Sequence, residues 1–196
     1  MPDEHALDTL FREARTQNGW QDRPVTDAEL RAIYDLAKWG PTSANCSPMR
    51  IQFVKSPAAK ERLKPFLNPG NVEKTMAAPA TAIIGYDTRF YDHLPKLFPH
   101  NPDARNWFAG EDKATHAVTT AFRNGSLQGA YFIIAARALG LDCGPMSGFN
   151  SGGIDREFWG GTSVKTNFLC SVGHGDPAKI FARSPRFEFD EVCRIL

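Results

Sequence analysis

Apolar and polar positions divide the 196-residue chain into alternating helical and extended pieces. Leu7, Leu10, Phe11 and Ala14 share one face of a helix predicted from Ala6 to Arg15. Leu30, Ile33, Tyr34 and Ala37 mark a second helix. Thr26, with Glu29 three residues on, signals its start as a capping box, and Val25 can staple against Leu30. Gly40 and Pro41 end it. Ile51 and Phe53 alternate with Gln52, predicting a strand from Arg50 to Val54. A short helix starts at Ser56-Pro57, and a helical segment over Val72 to Ala77 follows the turn Asn68-Pro69-Gly70-Asn71. Ala80 to Tyr86 is apolar on both faces, as a central strand is.

Ala114 to Leu139 reads as one long helix closed by Gly140. Its stretch from Ala130 to Ala136 is apolar all round, which predicts a buried central helix with a partner subunit on one side. Cys143 to Phe149 reads as a loop, either a plain helix-to-strand connection or one whose Gly144 and Gly148 let backbone approach a flat ligand. Thr166 to Val172 is a further buried strand, and a last short helix follows Phe187-Glu188-Phe189. Between Asp87 and Lys113 runs an aromatic-rich excursion broken by Pro95, Pro99 and Pro102. Its two readings are a lid over a pocket and an insertion packing on its own domain.

The stretch Trp39 to Arg50 joins the second helix to the first strand. Thr42, Ser43, Asn45 and Ser47 crowd hydrogen-bonding groups between Pro41 and Pro48, which stiffen the backbone at both ends. Such a loop suits holding a ligand; an ordinary Ser/Asn/Pro turn is the alternative.

Composition narrows the field. The length fits a single domain over residues 1–196. A net charge of +1 gives no nucleic-acid or membrane footprint. No apolar run approaches a membrane span of about 18 residues. Met1-Pro2-Asp3-Glu4-His5 is not a secretory start, and Cys46, Cys143, Cys170 and Cys193 make no C-x-x-C pair, so free thiols in the cytoplasm are expected. Histidines 5, 93, 100, 116 and 174 have no metal-ligand spacing, so no metal site is expected. Cys46 has no evident base and reads as a packed thiol. Gly173-His174-Gly175-Asp176-Pro177-Ala178 fits G-x-G-x-x-A, but Pro185 and the chain end at Leu196 leave no room for a βαβ unit. Arg15 and Thr16, at the end of the first helix, could clamp a phosphate or form a solvated turn.

Together these pieces resemble the flavin-dependent nitroreductase family and, within it, the malonic semialdehyde reductase branch of the pyrimidine-utilisation pathway. The likeness is carried by Asn18-Gly19-Trp20, by Lys38 to Pro48, by Leu97-Phe98-Pro99-His100, and by Ala138 to Asp142 running into Gly144-Pro145-Met146-Ser147-Gly148-Phe149. It implies an α+β fold with a mixed β-sheet flanked by helices, an intertwined homodimer, and one FMN at each subunit junction. It puts Arg15 and Thr16 at the FMN phosphate, with Ala14 where the family has a first arginine, which raises the weight of Arg183 and Arg186. It puts Asn18 near the pyrimidine edge, Asn71 near the ribityl chain, and Pro41, Thr42, Ser43 and Asn45 in the opposite subunit's contribution. Pro145, Met146, Ser147 and Gly148 would line the ring, with the backbone of Ser147 and Gly148 near N5.

The implied activity is reduction of malonic semialdehyde to 3-hydroxypropionate by NADH or NADPH, through hydride relay at flavin N5 and with no certain acid–base residue. A substrate carboxylate would want a cation, and the excursion offers Arg89, Lys96 and Arg105. A generic nitro or quinone reductase, a flavin-binding module without turnover and a protein built only for assembly are the alternatives.

Overall fold

A computed structural model describes residues 3–196; Met1 and Pro2, part of the start read above as leaderless, lie outside it. The first helix is α1 (Glu4–Leu7), continued by a π turn (Asp8–Arg12), so it stops before Arg15. Helix α2 (Asp27–Ala37) begins with the predicted capping box, in which the Glu29 backbone N–H donates to Thr26 Oγ1 at 3.2 Å and the Thr26 N–H donates to the Glu29 carboxylate at 2.7 Å. Those bonds hold the Glu29 carboxyl below its ordinary pKa. Val25 and Leu30 are buried in one cluster, as a staple requires.

Strand β1 (Met49–Val54) is followed by α3 (Pro57–Leu63), α4 (Pro69–Ala77) and β2 (Ala80–Asp87). The excursion contains α5 (Leu94–Leu97) among 3-10 turns. Then come α6 (Ala114–Ala138), β3 (Asp142–Met146), α7 (Ser151–Phe158), β4 (Val164–Gly173) and α8 (Phe189–Val192). The four strands form one antiparallel sheet in the order β1-β2-β4-β3. The α+β class stands; among the described residues the expected mixed character is confined to a parallel bridge between Thr16 and Cys143.

Cys143 to Met146 is therefore strand, not loop. Pro145 hid it from the sequence, yet β3 is an edge strand, where a residue without an N–H is tolerated. β2 is buried on both faces, as its apolar run predicts. One face packs on α2 and α6 through Ile33, Ile84, Phe132, Cys170 and Val172. The other packs on α3 and α7 through Leu63, Ile83, Ile154 and Leu169. Gly129 permits the close seat of α6: a Cβ there would meet the Phe168 ring at 2.5 Å.

The structure bears on two further readings. α6 is not buried all round: Phe132, Ala135 and Ala136 face the sheet, while Phe122, Leu127 and Tyr131 remain exposed on the other flank of a single chain. The excursion packs on its own domain, with Phe90, Leu94, Ala104 and Phe108 closing over Ala117, Ala121 and Cys46. No described helix is long and apolar enough to cross a membrane.

Candidate functional site

The residues expected to hold a flavin fall into two groups, and one chain does not bring the groups together. The first group lies along β3. The segment after the π turn runs beside this strand: Thr16 bridges Cys143, and the Gln17 N–H donates to the Cys143 carbonyl at 3.0 Å. Past the other end of β3, the Asn71 side-chain amide donates to the Gly148 carbonyl at 2.8 Å, as does the Asn68 N–H at 3.1 Å. A Cβ on Gly148 would meet the Asn71 amide nitrogen at 2.7 Å, so glycine is what lets α4 close on this turn. Met146 Sδ accepts from Thr75 Oγ1 at 3.3 Å, fixing the strand end to α4 from the buried side. Neither backbone N–H of Ser147 nor of Gly148 donates to another loop or side-chain group among the described residues.

Beside the start of β3 is a cavity of about 550 Å³. Ala14, Arg15, Thr16, Asn18, Arg183 and Arg186 contribute to its wall. The carboxyl-terminal arm crosses here: Arg15 donates to the Phe181 carbonyl, and Arg183 to the carbonyls of Arg12 at 2.8 Å and Ala14 at 3.3 Å. Arg186 turns onto its own neighbours, Ser184 and Pro185. The two chain ends thus meet at one basic cavity.

Sequence reasoning missed Lys74. Its Nζ lies 3.4 Å from Asn18 Oδ1, and it stands three residues after Asn71 on α4, a spacing that places both on one helix face. The Lys74 carbonyl accepts from Trp20 Nε1 at 2.9 Å, tying Asn18-Gly19-Trp20 to α4.

The second group, Pro41 to Ser47, leads into β1 at the opposite edge of the sheet from β3. Three interstrand spacings, roughly 14 Å, separate the edges. The Ser43 N–H donates to Asn124 Oδ1 at 2.9 Å, and Ser47 N–H to Thr42 Oγ1 at 3.1 Å. Ala44, Asn45 and Ser47 have φ of 49°, 49° and 38°, a conformation that costs non-glycine residues energy and so marks an over-determined loop. Asn45 donates to the Leu97 carbonyl at 2.8 Å, so in one chain its amide anchors the excursion. Cys46 is buried under the loop, and burial pushes its thiol up to about 11; it is a packed thiol and no nucleophile at neutral pH.

Of the three cations offered by the excursion, Arg89 and Arg105 both close on Asp92, at 2.8 and 2.9 Å. That leaves Lys96 unengaged by Asp92. No cluster of His, Cys, Asp or Glu fit for a metal exists among the described residues.

The chain belongs to the Nitroreductase family, whose model matches residues 12–174. A relative from Cupriavidus pinatubonensis is 62% identical over 189 residues, covering 96% of each chain; its name proposes an NADH dehydrogenase/NAD(P)H nitroreductase. HadB of Ralstonia pickettii, with the same proposed activity in its name, is 61% identical over 190 residues, 97% of each chain. A nitroreductase from Exiguobacterium sibiricum, solved in complex with FMN, superposes with a TM-score of 0.83 at 17% identity, over 100% of this chain and 98% of that one.

Proposed function

We propose that this protein is an NAD(P)H-dependent oxidoreductase that binds FMN between two copies of the chain. The observation that carries the reading is the strip along β3. It offers arginines at one end, the Asn18, Lys74 and Asn71 side chains along its middle, and a glycine-walled turn with two backbone donors at the other. That donor set matches FMN end to end. Guanidinium groups and Thr16 suit the phosphate. Amide and ammonium groups suit the ribityl hydroxyls and pyrimidine carbonyls, and a flat wall without a Cβ suits the ring. Bound there, FMN would supply hydride acceptance from NAD(P)H and hydride donation to a second substrate.

The chain's own contributions are binding and charge. Lys74 and Asn18 stand where negative charge on the pyrimidine edge would need partners. Ser147 and Gly148 would present their backbone N–H groups towards N5. Arg15, Thr16, Arg183 and Arg186 hold the phosphate. Pro41, Thr42, Ser43 and Asn45 reach the ring from the second copy, since they sit on the far edge of their own sheet. Two features support that second copy. Phe122, Leu127 and Tyr131 leave one flank of α6 uncovered. The carboxyl-terminal arm exposes Phe181, Phe187, Phe189 and Ile195, with nothing among the described residues to bury them.

For the oxidising substrate, a nitro compound or quinone fits better than malonic semialdehyde. The aldehyde carries a carboxylate, and two of the three cations available to it, Arg89 and Arg105, already share the Asp92 carboxylate, which cancels one of their two charges. The aldehyde reading keeps Lys96 and the likeness of the 38–48 and 138–149 stretches in its favour. The purified protein should be yellow and should bleach on anaerobic NADH or NADPH addition. Turnover is then compared on nitrofurazone, menadione and malonic semialdehyde. Aldehyde turnover far above the other two would reverse the choice of substrate; a colourless protein that takes up no flavin would end the reading itself.

A further inference from the structure

We propose that Arg137, on α6, is a further phosphate-binding residue of the flavin site, a proposal that rests on the FMN reading above. Arg137 lies in the last turn of α6 and lines the same 550 Å³ cavity as Arg15, Arg183 and Arg186. It is the one cation in that wall drawn from the helical layer rather than from the two chain ends. Its Nη1 donates to the Leu10 carbonyl at 3.0 Å, which fixes the guanidinium beside the π turn that leads into Arg15.

Charge balance carries the argument further. Among the described residues none of these four arginines forms an ion pair, whereas Arg12, Arg50, Arg62, Arg89 and Arg105 all do. The wall of the cavity contains no aspartate or glutamate. The recorded hydrogen bonds of all four go to backbone carbonyls, which leave the positive charge uncompensated. Four unpaired guanidinium groups around one small cavity repel one another, and they call for a ligand group that carries more than one negative charge. A phosphate monoester, near −2 at neutral pH, is such a group. Ala14 adds only a methyl group to the wall. Arg15 and Arg183 are also spent in part on clasping the two chain ends together. Arg137 is held by a single carbonyl, which leaves the rest of its donor fork for the anion.

The test compares FMN with riboflavin, which lacks the phosphate. Dissociation constants are measured by flavin fluorescence on the full-length chain stripped of flavin, for wild type, Arg137→Met and Arg137→Lys. Arg137→Met should weaken FMN about tenfold or more, the loss of one charge-assisted contact, and leave riboflavin within about twofold. Arg137→Lys should recover part of the FMN loss. The salt dependence of FMN binding should flatten in Arg137→Met. Equal losses for both flavins would show a purely structural tie to Leu10 and overturn the proposal, as would no loss for either. Wild type that binds riboflavin as tightly as FMN would instead remove the phosphate from this cavity and take the underlying reading with it. The melting temperature of each flavin-free variant reports whether the fold is intact.

Discussion

The side-chain carbonyl of Asn124 accepts the backbone N–H of Ser43 at 2.9 Å, so the middle of α6 fixes the loop in front of β1. Asn124 is buried, and its amide donates to the Thr120 carbonyl at 2.9 Å. One turn on, Gln128 accepts the Met49 N–H at 2.9 Å. Asn124→Ala leaves the Ser43 N–H without its acceptor, and because Ser43 is exposed and water can replace that partner, the loss should cost roughly 0.5–1.5 kcal/mol. Urea unfolding should show a lower midpoint with an unchanged slope.

Gly148→Ala tests the turn past β3. The new methyl would sit 2.7 Å from the Asn71 amide nitrogen and 3.2 Å from that of Asn68. Both are ends of mobile side chains, so the backbone can survive while the amides shift away. The expected result is flavin affinity reduced by about tenfold or more, with the melting temperature of the flavin-free protein little changed. A large drop in that melting temperature would mean that the turn, and not the ligand wall, is what glycine protects.

Cys46 gives a pH signature. Burial raises its thiol from 9.0 to about 11. Below 9.0 the group is protonated in folded and unfolded chains alike and costs nothing. Above it the unfolded chain releases the proton while the folded chain holds it, so stability falls as pH rises towards 11. Thermal melts from pH 8 to 11 should show a steeper decline for wild type than for Cys46→Ala. At pH 8 iodoacetamide should label the exposed Cys193 and spare Cys46.

Leu127→Glu probes the uncovered flank of α6. Leu127 is 47% exposed in a single chain, so a charge there is harmless to the isolated fold. At a subunit seam it would be buried unpaired and would cost several kcal/mol. Light scattering should report a halved mass, and flavin content should fall with it. An unchanged mass would place the seam elsewhere.

Much of this was legible in the residues. The capping box at Thr26 and Glu29, the strands around Ile51 and Ile83, and the glycine after α6 all follow local rules that the tertiary structure obeys. The family resemblance, rather than periodicity, assigned Arg15 and Arg183 to one phosphate, and they line one cavity; the bond from Asn71 to Gly148 was not foreseen. β3 was not legible, because Gly144 and Pro145 look like a turn until β4 is present to pair with them. α6 was legible as a helix apolar on every side, but not which of its residues stay exposed in a single chain, because apolar composition signals burial without saying by what. Lys74 and Arg137 carry no pattern of their own. A cation on a helix is usually solvated, and only the fold shows which ones converge.

The sheet keeps its loop edge and its strip edge apart, and this has a genetic consequence. A chain crippled at Arg15 retains a sound loop at Asn45; a chain crippled at Asn45 retains a sound strip. On the two-copy reading neither homogeneous preparation has a working pocket, yet refolding the two together yields hybrid pairs in which one of the two pockets is whole. Two dead alleles of this protein would then complement each other inside one cell.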